Sequence, residues 1–331
     1  MKNNNSKILW VDYAKGIGVF LVIVGHLWYS SKYPIVNQFI YSFHMPMFFI
    51  LSGFVYNIYT NISIEKYIKR KFIRILLPTI FYLILGVIKS YFNGIHRIKT
   101  LIKLFIFWNG LCPFNSPCWF FIVIFELYII IYLFKHYLRN KSSSCAFAIL
   151  CFITGYIIYY EKIPIHFGLD KTIIALGFFS TGAFIRHIYN NLKEKNNNSL
   201  LLTILFIISS TLWIIFTLKN DKIAFYKLHL NNYWYSTITG ITGTITFSII
   251  SYLLSKIKLL NNIENWASNS VFIIGTHYFF VDDYLHLIKN NHILFTKKFA
   301  LIIPIFSLIL LRIYQPICKY LDKKIPFITG K

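Results

Sequence analysis

Long apolar runs alternate with short polar or basic stretches along most of the chain. Each run approaches the length of about 20 residues that a helix needs to cross a bilayer core of ~30 Å. Continuous apolar runs favour helices over the alternating strands of a membrane barrel. The predicted spans are residues 13–31, 38–59, 72–93, 118–138, 145–160, 171–189, 199–218, 235–257, 266–288 and 298–318. The pattern therefore predicts an all-α polytopic membrane protein of about ten helices, in a single domain over residues 1–331.

Two stretches fit this pattern less well than the others. Residues 145–160 form the weakest of the predicted spans. Residues 99–110 (KTLIKLFIFWNG) are apolar but too short to cross the bilayer. They are predicted either to re-enter the membrane or to lie in its interface.

Composition supports the membrane class. Hydrophobic residues make up 56% of the 331 residues and charged residues only 14%, and the mean hydropathy is +0.58. In soluble domains about a quarter of the residues are charged. The deficit of charge therefore excludes an ordinary soluble protein.

The formal net charge of +23 bears on possible partners. Most lysines punctuate the apolar runs, where they would meet anionic lipid headgroups. They come with no helix-turn-helix, zinc or RNA-binding signature, so membrane lipids are predicted partners and nucleic acid is not. The five cysteines form no metal pattern, although Cys112 and Cys118 bracket a proline-containing loop and could pair if oxidised.

Basic residues also predict an orientation. The segments on the side of the N-terminus carry more Lys and Arg than the opposite segments, which places both termini in the cytoplasm. The first apolar run lacks a small-residue cleavage site, so we expect a retained span rather than a signal peptide. Abundant Asn, Ile and Lys are typical of an AT-rich bacterial genome. The predicted location is therefore the bacterial cytoplasmic (inner) membrane.

The first span, DYAKGIGVFLVIVGH, carries three polar side chains in an apolar run: Asp12, Lys15 and His26. Lys15 and His26 are eleven positions apart, which is close to three helical turns and about 16 Å on one face. Asp12 lies one turn before Lys15 and is predicted to pair with it. Either Lys15 reaches the headgroups and His26 is a hydrogen-bonded core residue, or the two line a passage with a chemical function.

The second span favours the functional alternative. It reads QFIYSFHMPMFFILSGFVY and places His44 at about the depth of His26 on an adjacent antiparallel helix. Two histidines at matching depth predict a shared site. Ser52 and Gly53, further along the span, are as compatible with close helix packing as with catalysis.

These residues also carry a family resemblance. The pattern Asp-x2-Lys-Gly…Gly-His and the stretch FHMPMFFILSGF resemble the acyltransferase-3 family of integral-membrane proteins, and are most similar to its fucose O-acetylase-like branch. KRKFIRILLP, SPCWFFIVIFELYI and IIGTHYFF fit the same family. The resemblance implies a ten-helix O-acetyltransferase that uses acetyl-CoA to modify surface polysaccharides.

The resemblance implies roles for particular residues. His26 corresponds to the catalytic histidine and Lys15 to an essential positive charge ahead of it. The family's Arg-x2-Arg pair corresponds to Lys71 and Arg74, with Arg70 adjacent. Because a lysine lacks the bidentate fork of an arginine, both Lys71 and Arg70 remain candidates for the first position. These residues are predicted to bind the phosphates of acetyl-CoA, although positive-inside residues look the same without a ligand.

Further polar residues extend the candidate site. Glu126, inside WFFIVIFELYIII, is predicted to orient a histidine or to hold the acceptor sugar, against a purely structural hydrogen bond. His277, with Asp282 and Asp283, either completes a cluster in the outer half or is accompanied by aspartates at the interface. Trp119 is predicted to stack on a sugar or to be a membrane-belt residue. Asp12 is grouped with the substrate-binding residues.

The predicted function is acetyl transfer from acetyl-CoA to a hydroxyl of a surface carbohydrate, such as a capsule or O-antigen residue, lipid-linked or free. His26 would act as general base or as a transient acetyl acceptor, with His44 and Glu126 also catalytic and no metal. A proton-coupled transporter or exporter is the alternative, disfavoured because no internal duplication is detected. A catalytically inactive member that retains the fold is the third possibility.

Overall fold

The structure is a computed structural model that describes residues 8–27, 34–59, 61–92, 115–163, 165–193, 199–257, 263–290 and 297–331. The predicted membrane-entering or interfacial segment 99–110 lies outside these residues. So does Cys112, and with it the question of whether it pairs with Cys118.

Twelve α-helices follow one another within the described ranges. They are α1 Leu9–Leu27, α2 Pro34–Phe54, α3 Ile64–Lys71, α4 Leu77–Phe92, α5 Trp119–Phe134, α6 Lys141–Tyr160, α7 Leu169–Lys193, α8 Ser199–Lys219, α9 Tyr233–Ile257, α10 Ile263–Ser268, α11 Ser270–Asn290 and α12 Lys297–Lys324. One turn of π-helix, Phe72–Leu76, joins α3 to α4 without a break.

Nine stretches of the described chain are helices long and apolar enough to span a membrane. They are Leu9–Leu27, Pro34–Phe54, Ile64–Phe92, Ser116–Leu138, Lys141–Tyr160, Leu169–Leu192, Ser199–Lys219, Tyr233–Ile257 and Ile302–Lys324. The predicted all-α polytopic membrane class is thereby confirmed. The weakest predicted span, 145–160, lies in a full helix whose first turn is capped by the side chain of Asn140, which accepts from the Ser143 amide.

The predicted span 266–288 differs from the structure. The helix is interrupted at Asn269, between α10 and α11, and α11 continues from Ser270 to Asn290. The Asn269 side chain donates to the carbonyl of Asn265 at 2.8 Å. Such side-chain bonds to the local backbone compete with helix continuation.

Two helices, α7 and α9, make many of the contacts within the bundle. α7 packs against α6 and α2, while α9 packs against α8, α2 and α1. In the apolar stretch of α2, 67% of the residues are buried, whereas in that of α8 only 11% are. α8 is therefore a peripheral helix that faces lipid, and α2, which carries His44, lies in the interior.

The crossing of α2 and α7 depends on two glycines. A Cβ on Gly53 would overlap the backbone carbonyl of Phe179, and a Cβ on Gly182 would overlap that of Ile50. Small residues at helix crossings let the two backbones approach closely in a membrane. For Gly53, the close-packing alternative therefore has a direct structural basis.

Candidate active site

A cavity of about 150 Å³ lies where several helices meet one loop. Its walls come from α1, α2, α11, the turn Ser116–Cys118 with the start of α5, and the loop of residues 220–232 between α8 and α9. The lining residues are His26, Tyr41, His44, Met45, Ser116, Trp119, Phe225, Tyr226 and Tyr278. The structure thus brings His26, His44 and Trp119 around one space, here named the histidine cavity.

His44 is held in a defined orientation. Its Nδ1 lies 2.8 Å from the carbonyl oxygen of Ile40, one turn earlier in α2. Because a carbonyl oxygen only accepts, Nδ1 carries the proton, and in the neutral ring Nε2 keeps its lone pair. His44 is 3% exposed, so its ring is fixed by packing as well as by this bond.

The backbone next to His44 is adapted by a proline. Pro46 has no N–H, so the helical hydrogen bond to the carbonyl of Ser42 is missing. The hydroxyl of Thr239, on α9, donates to that carbonyl at 3.3 Å. A neighbouring helix therefore satisfies the freed group, as a proline inside a membrane helix requires.

His277 approaches from α11. Its Nδ1 lies 2.9 Å from the carbonyl oxygen of Ile274, which again places the proton on Nδ1. Its Nε2 is buried and finds no hydrogen-bond partner among the described residues. A buried acceptor without a partner is a strong point of attachment for a donor, such as a hydroxyl or a protonated imidazole.

His26 lies in the last turn of α1, between these groups. Its ring centroid is 5.2 Å from that of His277 and 5.5 Å from that of Tyr278. Tyr41 bridges the two sides, with its hydroxyl 3.5 Å from His26 Nδ1 and its ring 4.9 Å from the ring of His44. Three imidazoles from three helices therefore converge, which provides a base and a route for its proton.

Trp119 forms an aromatic wall of the cavity. Its ring stacks on Phe225 of the 220–232 loop, with centroids 5.7 Å apart and planes inclined by 25°. Ser116, one turn earlier, contributes a hydroxyl to the same lining. A broad apolar face with a few polar groups is typical of small-molecule sites.

The basic residues lie toward the opposite end of α1. Lys71 is half-buried, and its Nζ lies 3.3 Å from the ring centroid of Tyr128 and 5.5 Å from that of Tyr67. Arg70 and Arg74 are exposed. Of the two candidates for the first basic position, Lys71 faces the protein interior and Arg70 faces outward.

The surroundings of Lys71 are polar and cationic. It lies within electrostatic range of Arg74 and of Lys15, and Lys15 in turn lies within range of Asp12. The predicted proximity of Asp12 and Lys15 is thus present in the structure. We call Lys15, Arg70, Lys71 and Arg74 the basic end.

Tyrosines surround the basic end. The rings of Tyr67 and Tyr132 are 4.7 Å apart, and the Tyr132 hydroxyl donates to the carbonyl of Ile62 at 2.6 Å. The hydroxyls of Tyr56 and Tyr67 are buried and lie within interaction range of each other. Buried hydroxyls of this kind are suited to polar groups of a ligand or to water.

An apolar layer separates the basic end from the histidine cavity. On the face of α1 between Lys15 and His26, Val19 and Val22 are 0% and 4% exposed. The ring of Phe120 lies 5.6 Å from Phe48 and 5.3 Å from Phe49. Lys15 does not line the histidine cavity. Lys15 and His26 therefore do not line the same cavity in the described structure. We call the packed rings of Phe48, Phe49 and Phe120 the aromatic layer.

Glu126 lies outside the lining of the histidine cavity. Its carboxylate accepts from the Thr172 hydroxyl at 2.6 Å, in the first turn of α7. The neighbouring Lys171 and Asp170 form an ion pair at 3.1 Å. The structural alternative for Glu126 thus has a partner, and the predicted catalytic role is not supported by proximity to the histidines.

The aspartates of α11 do not approach the histidines as a pair. Asp283 binds Lys89 at 2.6 Å and its side chain is 62% exposed. The side chain of Asp282 lies outside the described residues. Of the predicted outer cluster, only His277 is therefore seen beside His26.

Several residues of the cavity were not anticipated from the sequence. Tyr41 precedes His44 by three positions, so the two share one face of α2, and that spacing was an available signal. Tyr278 follows His277 directly. Phe225 and Tyr226 lie in a connection between two spans, where nothing in the local pattern distinguishes them from other aromatics.

The fold and these two regions define a polytopic membrane protein with buried histidines around a cavity at one end and a basic cluster at the other. The family model of the acyltransferase domain, of the acyltransferase-3 type, matches residues 8–314. The chain therefore belongs to this acyltransferase family. No curated protein sequence and no solved structure matches the chain significantly.

Proposed function

We propose that the protein transfers an acetyl group from acetyl-CoA to a hydroxyl of a surface carbohydrate. The observation that carries this proposal is that His26 and His44 line one cavity and that the ring of His277 lies 5.2 Å from that of His26, in a member of an acyltransferase family. Two of the three imidazoles hold their proton on Nδ1 and leave Nε2 free to accept. The fucose O-acetylase-like resemblance belongs to the same proposal.

In the proposed reaction His26 removes the proton of the acceptor hydroxyl while the hydroxyl oxygen attacks the carbonyl carbon of the thioester. The tetrahedral intermediate collapses, the carbon–sulfur bond breaks, and the imidazolium returns the proton to the leaving thiolate. Alternatively, His26 first takes the acetyl group and then passes it to the hydroxyl. In both schemes the products are the acetyl ester and free CoA.

The donor is proposed to bind at the basic end. CoA carries several phosphate charges, and Lys15, Lys71 and Arg74 provide cations close to one another. Since acetyl-CoA is cytoplasmic, this end would face the cytoplasm of a bacterium, in line with the positive-inside rule. The acetyl group then reaches His26 only if side chains of the aromatic layer move.

A transporter remains the second candidate because two polar regions at opposite ends, with packed apolar side chains between them, also suit alternating access. The two functions predict different products. Purified protein in nanodiscs would be incubated with acetyl-CoA and an extracted surface glycan, and free CoA and acetyl esters would be measured by mass spectrometry and NMR. An enzyme releases CoA in proportion to new esters, whereas a carrier yields neither product. Absence of both would overturn the proposal.

A further inference from the structure

We propose that the acceptor carries an anionic group, a phosphate or a carboxylate, which Lys222 binds at the mouth of the histidine cavity. This inference rests on the proposed function in one respect, namely that the histidine cavity receives the acceptor. It adds a class of acceptor and a binding residue on the loop of residues 220–232, here called the cap loop.

The cap loop is a built element of the structure. Ala224 and His229 exchange two backbone hydrogen bonds, of 2.8 and 3.1 Å. The Asn231 side chain donates to the carbonyl of Lys222 at 3.0 Å and so fixes the backbone of that residue. Asn231 and Leu228 have φ angles of 56° and 53°, a left-handed conformation that side chains other than Asn rarely adopt.

Both ends of the loop are tied to the helices that flank it. The side-chain NH2 of Asn220 donates to the Ser236 hydroxyl at 3.0 Å. The backbone N–H of Asn232 donates to the side-chain oxygen of Asn220 at 3.1 Å. Gln38, on α2, donates to the carbonyl of Thr217 at 2.6 Å and also to that of Asn220. The loop is thereby anchored to α2, the helix that carries Tyr41 and His44.

Lys222 is placed toward the cavity rather than away from it. Its Nζ lies 5.6 Å from the ring centroid of Tyr41, a lining residue, and it is within electrostatic range of His26. Lys222 is half-buried, and partial burial lowers the pKa of its ammonium group. Asp221 and Lys227 on the same loop are exposed. The Nζ of Lys227 also lies near a lining residue, 5.4 Å from the ring of Tyr226. Lys222 is the one of the two that is half-buried and within electrostatic range of His26.

The size of the cavity determines how an acceptor can occupy it. A volume of about 150 Å³ is enough for a single six-membered ring, because an apolar cavity of that size accommodates benzene. A sugar ring between Trp119 and Tyr278 would place its remaining substituents toward the opening. A charged substituent there would meet Lys222, since a partly desolvated ammonium binds phosphate or carboxylate by charge-assisted hydrogen bonds.

The test uses matched acceptors that differ only in charge. Hexose 1-phosphates, methyl glycosides of the same hexoses and methyl glycosides of the corresponding hexuronic acids would be assayed with acetyl-CoA and the purified protein in nanodiscs. We expect the KM of the anionic acceptors to be about tenfold lower than that of the neutral ones, as one charged hydrogen bond contributes. Comparison of the phosphates with the uronic acids identifies which anion is preferred.

Variants assign the effect to Lys222. Lys222→Gln should abolish the preference for anionic acceptors while leaving kcat within about twofold, and Lys222→Arg should restore most of it. Lys219→Gln, at the exposed C-terminal end of α8 next to the loop, is the matched control and should change nothing. Equal KM values for charged and neutral acceptors, or an unchanged preference in Lys222→Gln, would overturn the proposal.

A binding measurement separates this proposal from the proposed function. Affinity for hexose 1-phosphates would be measured by calorimetry without any donor. Binding that depends on Lys222 but leads to no acetyl transfer would sustain the anion site and overturn the acetyltransferase. Acetyl transfer to neutral glycosides, with none to the anionic acceptors, would sustain the acetyltransferase function and overturn the anion site.

Discussion

The histidine cavity and the basic end are both polar regions in an apolar chain, yet they are built in opposite ways. At the cavity, the lining residue His44 and the adjacent His277 are each held by a backbone carbonyl of their own helix. At the basic end Arg70 and Arg74 are exposed, and Lys71 lies within electrostatic range of the like charges of Arg74 and Lys15. The fold alone sets the first geometry, whereas the second is suited to being completed by a ligand.

The largest effect is expected where the geometry is fixed. His26→Ala should lower kcat for acetyl transfer by at least about 100-fold, the range that a general base contributes. Because His26 is separated from the basic end by the aromatic layer, the affinity for acetyl-CoA should stay within about twofold. Steady-state transfer and equilibrium binding of acetyl-CoA would be measured on the same nanodisc preparation.

His187→Ala is the control for the loss of a histidine. His187 is half-buried on α7, and its Nε2 donates to the carbonyl of Leu138, outside the histidine cavity. The His187→Ala variant should keep its rate of acetyl transfer within about threefold of the unsubstituted protein. A folded His26→Ala protein with full transfer would remove His26 from the mechanism, and loss of donor affinity would show that the two regions are not separate.

The second effect concerns the basic end. Lys71→Gln should weaken acetyl-CoA binding by about tenfold, as the loss of a charged hydrogen bond to phosphate predicts, with little change in kcat. Lys71→Arg should retain most of the affinity. Arg70→Gln, at an exposed position, should cost about twofold or less. Calorimetric titration measures the affinity of each variant for acetyl-CoA. If Arg70→Gln weakened binding more than Lys71→Gln, the first basic position would belong to Arg70.

A smaller effect tests the separation itself. Phe48→Ala removes a ring from the aromatic layer and should increase acceptor-independent hydrolysis of acetyl-CoA several-fold, because water and the thioester meet more often near His26. Phe280→Ala, at a position that is 50% exposed, is the control and should leave hydrolysis unchanged. Release of CoA in the absence of glycan is the measurement. Unchanged hydrolysis in Phe48→Ala would mean that this layer does not limit access.

Much of the fold was predictable because its physical origin is local. Span length and continuity depend on about 20 consecutive residues, so the helices carrying His26, His44 and Trp119 could be placed from the pattern alone. The interruption at Asn269 was missed because nothing in the apolar pattern marks it; the Asn269 side chain bonds to the carbonyl of Asn265, one turn earlier. The start of the third predicted span was also misplaced, since α3 begins at Ile64, in a basic stretch that looks like a loop.

The site was predictable only in part. The spacing of Lys15 and His26 correctly places them at opposite ends of one helix face. Whether the space between them is open depends on side chains from other helices, such as Phe48 and Phe120, which no spacing within α1 reveals. The inward direction of Lys71 likewise follows from packing on Tyr128 and from the π-helical turn after it. The part that the cap loop takes in the cavity could not be predicted from the sequence, because it depends on tertiary contacts.

The smallest expected effect is that of substituting Glu126, which lies outside the histidine cavity. This substitution tests how far the catalytic region extends. Its carboxylate accepts from the Thr172 hydroxyl, and a glutamine oxygen can accept the same bond. Glu126→Gln should therefore lower kcat by less than about threefold, whereas Glu126→Leu should reduce thermal stability because it leaves Thr172 without this acceptor. Transfer assays and thermal unfolding in nanodiscs measure the two effects. A 100-fold loss of kcat in a stably folded Glu126→Gln protein would show that the carboxylate charge takes part in catalysis, and the catalytic region would then extend beyond the cavity to the first turn of α7.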